Sequence, residues 1–278
     1  ADKAARAAVD ALSGKERAAA LQLAQQTQWR NKAVSDLYEP GSVFKLITCA
    51  AALDAGAITR HSTFYCGDSI SVAGTRFHCA NHKRHGSQTV TQALENSCNQ
   101  SFIQIGARLG KQAFCDYFAA FGLREPTGID LPNETRWTSV YNAEQMAEVD
   151  TNLYTAAFGQ NESITPMQMA TAVAAIANGG YLVTPYVVDS ISDKDGNIIS
   201  QTETNIRRQV ISEEVSRQLL AMMENNVHGA GNYHSCANAY VAGYRIGGKS
   251  GTSEQLNMER RADGDYKKVA SFAAVLPA

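Results

Sequence analysis

The chain has 278 residues, 44% hydrophobic and 19% charged, which supplies enough apolar material for one large domain or two lobes around a substantial core. Its net charge of −2 gives no grip on nucleic acid or on an anionic membrane surface. No run of about 18 apolar residues is present, so nothing reads as a bilayer span, and the opening residues lack the pattern of a signal peptide.

The first stretch is alanine-rich and helical, with Ser13-Gly14-Lys15-Glu16 expected as a capping box for a helix carrying Leu21, Leu23 and Trp29. Residues 1–28 read as a lead-in. Tyr38-Glu39-Pro40-Gly41 is a turn signal. After it Val43, Phe44, Leu46, Ile47, Ala50, Ala51 and Leu53 recur at helical spacing until Gly56, so Ser42 opens an apolar helix expected to run through the core. Cys66 and Cys79 bracket a segment that reads as a hairpin centred on Ala73-Gly74. A disulfide between them is the expectation, stabilising by about 3 kcal/mol through loop closure, with two free thiols as the alternative. His78, His82 and His85 crowd the same segment, but the paired C-x2–4-C spacing of structural zinc sites is absent, and no metal or other cofactor is expected.

Val90–Asn96 and the run carrying Phe102, Ile103, Ile105, Ala107 and Leu109 read as two helices separated by a turn at Ser97-Cys98-Asn99. A further helix carries Phe114, Tyr117, Phe118 and Phe121, and a long one runs from Pro166 to Asn178. Cys49 and Cys115 fall among apolar helical positions and read as buried thiols, and Cys98 as a small packing residue. Beyond Gly179-Gly180 the pattern turns to strands at Tyr181–Val183, Tyr186–Val188 with Ile191, and Ile198-Ile199, followed by a helix capped by Ser212. A β-prone stretch, Tyr240–Gly248, leads into Lys249-Ser250-Gly251, and Ser271–Leu276 reads as the next strand. Helices first and strands around one helix later indicate an α+β fold: an antiparallel sheet flanked by helices, plus a mainly helical lobe over 42–179 and a mainly sheet lobe over 180–278.

Three motifs carry chemistry, and each occurs once: Ser42-Val43-Phe44-Lys45, Ser97-Cys98-Asn99 and Lys249-Ser250-Gly251. Ser42 and Lys45, three apart on a helix, are neighbours, and a desolvated lysine can accept the proton of a serine hydroxyl. Ser97 can relay a proton, and the Asn99 amide both donates and accepts. Lys249 with Ser250 and Thr252 suits an anionic carboxylate. Singly, each motif is as well explained by a cap or a turn.

Together and in this order S-V-F-K, S-C-N and K-S-G resemble the S-x-x-K, S-D-N and K-T-G set of class A β-lactamases and penicillin-binding proteins. The flanks Arg30–Asp36, Tyr38–Gly41, Gly128-Ile129-Asp130-Leu131-Pro132, Phe158-Gly159-Gln160 with Ile164–Met169, and Gly243–Lys249 are similar to the class B penicillin-binding proteins, over roughly residues 29–278. The serine-cysteine-asparagine form and the Cys66/Cys79 segment look most like the division and sporulation transpeptidases of Gram-positive bacteria. Ser250 stands where that family usually has threonine, which keeps the hydroxyl.

The resemblance implies the penicillin-recognising serine-transferase fold in a single transpeptidase domain over 1–278, at the extracytoplasmic face of the bacterial membrane. The family's membrane anchor, pedestal and closing strand and helix are not visible in the sequence. It also implies D,D-transpeptidation of peptidoglycan stem peptides through an acyl-serine at Ser42, with β-lactams as inhibitors. Lys45, Ser97, Asn99 and Lys249 are then catalytic, Ser250, Gly251 and Thr252 bind substrate, and the backbone N–H groups of Ser42 and Thr252 form the oxyanion hole. The partners implied are a membrane glycosyltransferase and division or sporulation proteins. The rivals are a serine β-lactamase or D,D-carboxypeptidase, which needs a base for water such as Glu162 or Asp130 against Ser42, and a β-lactam sensor or non-catalytic division scaffold.

Overall fold

The computed structural model describes residues 7, 9–137, 139–228, 235–254, 264 and 266–278. Helix α1 (Gly14–Trp29) buries none of its residues, and Trp29 is 73% exposed. The expected capping box is not made: Ser13 stands at the N-cap with no side-chain bond to the helix. A short helix α2 (Lys32–Ser35), capped by Asn31, follows.

The organising element is the helix the sequence marks as apolar. It begins as a 3-10 turn, Gly41–Phe44, and continues as α3 (Lys45–Asp54), in which every residue from Lys45 to Leu53 is buried. An element apolar all round has no solvent face, so other helices cover it. These are α5 (Asn99–Leu109), α6 (Lys111–Ala120), α9 (Pro166–Ala177) and α10 (Glu213–His228). Phe44 meets Phe118 edge-on at 4.6 Å, and one continuous apolar core joins these helices. Asp54 secures the far end of α3. Its carboxylate accepts from the Tyr117 hydroxyl of α6 at 2.8 Å and from the Ser212 N–H at the start of α10 at 2.7 Å.

Before α5 comes a small β region. Strand β1 (Thr63–Cys66) pairs antiparallel with β4 (Gly86–Thr89), opposing Cys66 to Gly86, and between them lies the hairpin β2 (Ile70–Val72) and β3 (Thr75–Phe77). Its turn residues Ala73 and Gly74 both have positive φ, as a type I′ hairpin turn requires. Thr89 and Gln92 form a reciprocal capping box at the start of α4 (Val90–Glu95), and Thr165 and Gln168 do the same for α9, with Pro166 at its first position. Two short helices, α7 (Ala143–Glu148) and α8 (Thr151–Ala156), carry too little apolar periodicity to be read from sequence.

Past residue 180 the strands are β5 (Tyr181–Val183) paired with β8 (Ile206–Gln209), and β6 (Ser190–Ser192) paired with β7 (Ile198–Gln201). Tyr186–Val188 is not a strand: the Asp130 carboxylate accepts the Val187 and Val188 N–H groups and removes them from any ladder. The β-prone stretch before Lys249 is likewise irregular, with a 3-10 turn at Ala237–Ala239, and the strand β9 begins only at Gly247 and runs to Glu254. It pairs antiparallel with β10 (Lys268–Val275) over eight residues each. Helix α10 packs on β9, where the Asn226 amide donates to the Gly248 carbonyl at 3.0 Å.

Candidate active site

Three pieces of chain meet beside the first turn of the central helix, and glycines permit the approach. Gly41 has φ +57°, and a side chain there would lie 2.6 Å from the Thr252 carbonyl oxygen. A side chain on Gly251 would lie 2.5 Å from the Pro40 carbonyl oxygen. The nucleophile turn and β9 are therefore in backbone contact, and the Ser253 hydroxyl seals it by donating to the Glu39 carbonyl at 2.7 Å. On the other side Gly159, at φ +90°, lies so close to Gly41 that an added Cβ would stand 1.9 Å from its carbonyl oxygen. The Phe158-Gly159-Gln160 segment thus buttresses the turn that presents Ser42.

The second motif owes its shape to a helix ending. The N–H of Ser97 bonds to the Leu94 carbonyl and that of Cys98 to the Ala93 carbonyl, the two bonds of a Schellman ending for α4. That ending needs a left-handed residue, usually glycine. Here Ser97 takes it, at φ +49°, a conformation that costs a non-glycine residue of order 1 kcal/mol. Cys98 then caps α5, its sulfur accepting from the Ser101 N–H. Gln88 of β4 spans the turn, donating to the Ser101 hydroxyl at 2.8 Å and accepting from the Asn96 amide at 2.9 Å.

These elements bring Ser42, Lys45, Ser97, Asn99 and Lys249 into one hydrogen-bonded chain. The Lys45 amine lies 3.1 Å from Ser42 Oγ, 2.7 Å from the Ser97 carbonyl, 3.2 Å from Ser97 Oγ and 2.7 Å from Asn99 Oδ1. The Lys249 amine lies 3.0 Å from Ser97 Oγ and 2.9 Å from the Ser250 carbonyl. Both lysines are fully buried. Burial, and then the charge of Lys249, push the Lys45 amine well below the usual lysine range, and burial brings Lys249 down to about 8.

A neutral Lys45 amine has two N–H bonds and a lone pair. The Ser97 carbonyl and Asn99 Oδ1 are acceptors only, so they take the two N–H bonds, and the lone pair is left for the hydroxyls. The Asn99 NH2 is not used by this bond and keeps its donor capacity. Along β9 the pleat buries Lys249, Gly251 and Ser253 and turns Ser250 and Thr252 to the open face, so a hydroxyl pair lines the site's edge. The two candidate bases for water are engaged elsewhere: Glu162 accepts from the Tyr141 N–H at 3.1 Å, and Asp130 holds Val187 and Val188.

The cysteines differ from expectation. Cys66 and Cys79 are free thiols with sulfurs 3.5 Å apart, and Cys79 is as near to Cys98, at 3.4 Å. His85 joins them, its Nδ1 3.4 Å from Cys66 Sγ. A pairing read along one hairpin overlooks the third sulfur, which arrives from the S-x-N turn, and the histidine, which precedes the strand partner of Cys66. Cys49 and Cys115 are buried as expected.

Residues 4–278 match the family model described as penicillin binding protein transpeptidase domain. The chain is 38% identical over 258 residues to stage V sporulation protein D of Bacillus subtilis, covering 90% of this chain and 38% of that protein. It is 29% identical over 257 residues to a probable peptidoglycan D,D-transpeptidase FtsI of Caulobacter vibrioides, covering 91% of this chain and 40% of that protein. The chain thus spans well under half the length of these curated relatives. Among solved structures it resembles the D,D-transpeptidase domain of a peptidoglycan glycosyltransferase from Eggerthella lenta, with 25% identity and a TM-score of 0.79 over 94% of this chain and 63% of that one. It also resembles penicillin binding protein 3 from Mycobacterium tuberculosis complexed with aztreonam, with 26% identity and a TM-score of 0.77 over 91% and 57% of the two chains.

Proposed function

Because the chain belongs to the penicillin-binding protein transpeptidase family, we propose that it cross-links peptidoglycan stem peptides as a serine D,D-transpeptidase of class B type, working as one domain over 1–278. The observation that carries this reading is the buried Ser42–Lys45–Ser97–Lys249 hydrogen-bond chain.

Neutral Lys45 takes the Ser42 proton as Oγ attacks the carbonyl carbon between two D-alanines. The oxyanion lies between the backbone N–H groups of Ser42 and Thr252, an assignment favoured by the contact of Gly41 with Thr252. Lys45 then returns its proton through the Ser97 hydroxyl to the departing D-alanine nitrogen, and cationic Lys249 steadies the Ser97 oxygen during the transfer. Ser250 and Thr252 hold the terminal carboxylate, Gly251 lets the substrate backbone lie against β9, and Asn99 holds the substrate amide. The amine of a second stem peptide attacks the acyl-serine, reforming the Ser42 hydroxyl and a new amide. A β-lactam follows the same first step, but its leaving nitrogen stays tethered to the acyl group.

The work of such an enzyme lies at the extracytoplasmic face of the membrane, beside a membrane glycosyltransferase that makes the glycan strands. The name of the Bacillus relative favours a sporulation role and that of the Caulobacter relative a division role.

The test is a fluorescent penicillin incubated with the protein, together with a donor and acceptor stem-peptide pair. A persistent adduct, absent in Ser42→Ala, with release of D-alanine and formation of the cross-linked product, is the expected result. Adduct turnover within seconds points instead to a β-lactamase, and a stable adduct without cross-linking to a sensor.

A further inference from the structure

Cys66, Cys79, His85 and Cys98 have no part in the chemistry above, yet their donor atoms all lie within 4.8 Å of one another. The three sulfurs are buried and His85 is half-buried. Four donors bound to a tetrahedral zinc ion at about 2.3 Å for sulfur and 2.0–2.1 Å for nitrogen stand about 3.8 Å apart sulfur to sulfur and about 3.5 Å apart sulfur to nitrogen. The contacts found are 3.5 Å, 3.4 Å and 3.4 Å, so slight expansion admits an ion. A disulfide, with sulfurs about 2 Å apart, would use only two of the three sulfurs and would not account for the third or for His85 beside Cys66. Cys79 Sγ is about equally near to Cys66 Sγ and Cys98 Sγ, as one ligand of a tetrahedral set is to the others.

The geometry points to one zinc ion held by three thiolates and His85 Nδ1, fixing the Ser97-Cys98-Asn99 turn in the form that acylation of Ser42 requires. Binding releases three thiol protons to solvent and leaves the loaded site with one net negative charge. Ser101 supports the ligand shell, donating its N–H and its hydroxyl to Cys98 Sγ at 3.4 Å and 3.3 Å. A cleft lined by Lys83, Arg84, His85 and Asn96 gives the ion its way in and a basic rim beside the negative site.

Four segments supply the ligands: the end of β1, the chain after the β2–β3 hairpin, the residue before β4, and the cap of α5. They are separate along the chain, and a metal joining them fixes all at once. The consequence for the site follows from Cys98, the middle residue of its motif. Ser97 is held in a left-handed conformation that its surroundings must impose. Its carbonyl and hydroxyl are the groups that orient Lys45 and link it to Lys249. Cys98 is thus a positioning residue, and this second half of the proposal rests on the transpeptidase reading.

The experiment is native mass spectrometry and elemental analysis of the whole chain, purified from zinc-supplemented medium without chelator. One zinc per chain is expected, lost or weakened in Cys79→Ser and His85→Ala. Should those variants fail to fold, the unaltered chain exchanged with cobalt(II) should show the thiolate charge-transfer and tetrahedral visible bands. A folded chain that neither retains zinc nor takes up cobalt overturns the site, as does one lighter by two hydrogens with Cys66 and Cys79 joined.

With the metal established, stripping it should slow acylation by fluorescent penicillin about tenfold to a hundredfold, the range for a catalytic group misplaced by about an ångström, and added zinc should restore it. Acylation should also shift the cobalt visible bands, which a metal that merely holds the fold would not do. Unchanged acylation after stripping, or unmoved bands, overturns the coupling. A zinc-loaded chain that is never acylated overturns the transpeptidase reading and leaves the metal site standing.

Discussion

Lys45 shows how a residue's neighbours decide its protonation. Its amine is buried among four oxygens, two of which only accept, and a second lysine is close enough to depress it further. Lys45→Arg keeps the length and charge but cannot surrender a proton near neutrality, so the acylation rate should fall about 10²- to 10⁴-fold, read by stopped-flow with a fluorescent penicillin. Glu162 is the opposite case, a carboxyl that burial pushes up to about 9 against the pull of the Tyr141 N–H and Arg124. The folded chain keeps this proton while the unfolded chain releases it near the ordinary 4.5. Stability therefore declines as pH rises from about 5 towards 9, and Glu162→Gln should flatten that part of the curve when urea midpoints are compared across pH. Equal slopes in the two proteins would disprove the assignment. The residues that meet around Ser42 were legible because S-V-F-K, S-C-N and K-S-G name them directly. Cys98 and His85 were not legible as partners of Cys66 and Cys79, since ligands drawn from four segments leave no paired spacing to read.

Among the elements, the nucleophile turn depends on glycines that the motifs do not mention. Gly159→Ala places a methyl against the Gly41 carbonyl oxygen at φ +90°, and should destabilise by about 3 kcal/mol or more. Gly41→Ala meets the Thr252 backbone, so it should also separate Ser42 from β9 and suppress acylation in whatever fraction still folds. Thermal melts beside adduct yields distinguish the two effects. Helix α3 was legible from composition alone, because only a core helix can be apolar on every side. Of the strand expected over Tyr240–Gly248 only the last two residues join β9, for the reason β-propensity often misleads: it reports a fit to a pleated, half-buried surface. The strand that forms, β9, is rich in glycines that permit close approach on three sides: Gly251 to the nucleophile turn, Gly247 to Met223 and Glu224 of α10, and Gly248 to Phe272 of β10.

At the scale of the whole molecule, α1 adds no buried residue to a core that is otherwise continuous from Val43 to Met223. Removing residues 1–29 should leave the stability within about 0.5 kcal/mol of the parent, the ordinary range for surface changes, and a larger loss in a denaturant titration would show that α1 packs on the domain in solution. The bond from Ser253 to Glu39 has a different bearing. It joins residues 214 apart in the chain, and Lys249 reaches Ser97 across 152. Contacts this distant close late and slowly in folding, because the intervening chain must be ordered before they are rewarded. During synthesis, Ser42 would emerge early but remain inert until β9 follows it out. A penicillin label added to a refolding reaction should therefore lag behind the recovery of helical signal, so the antibiotic would act as a clock for the final docking step.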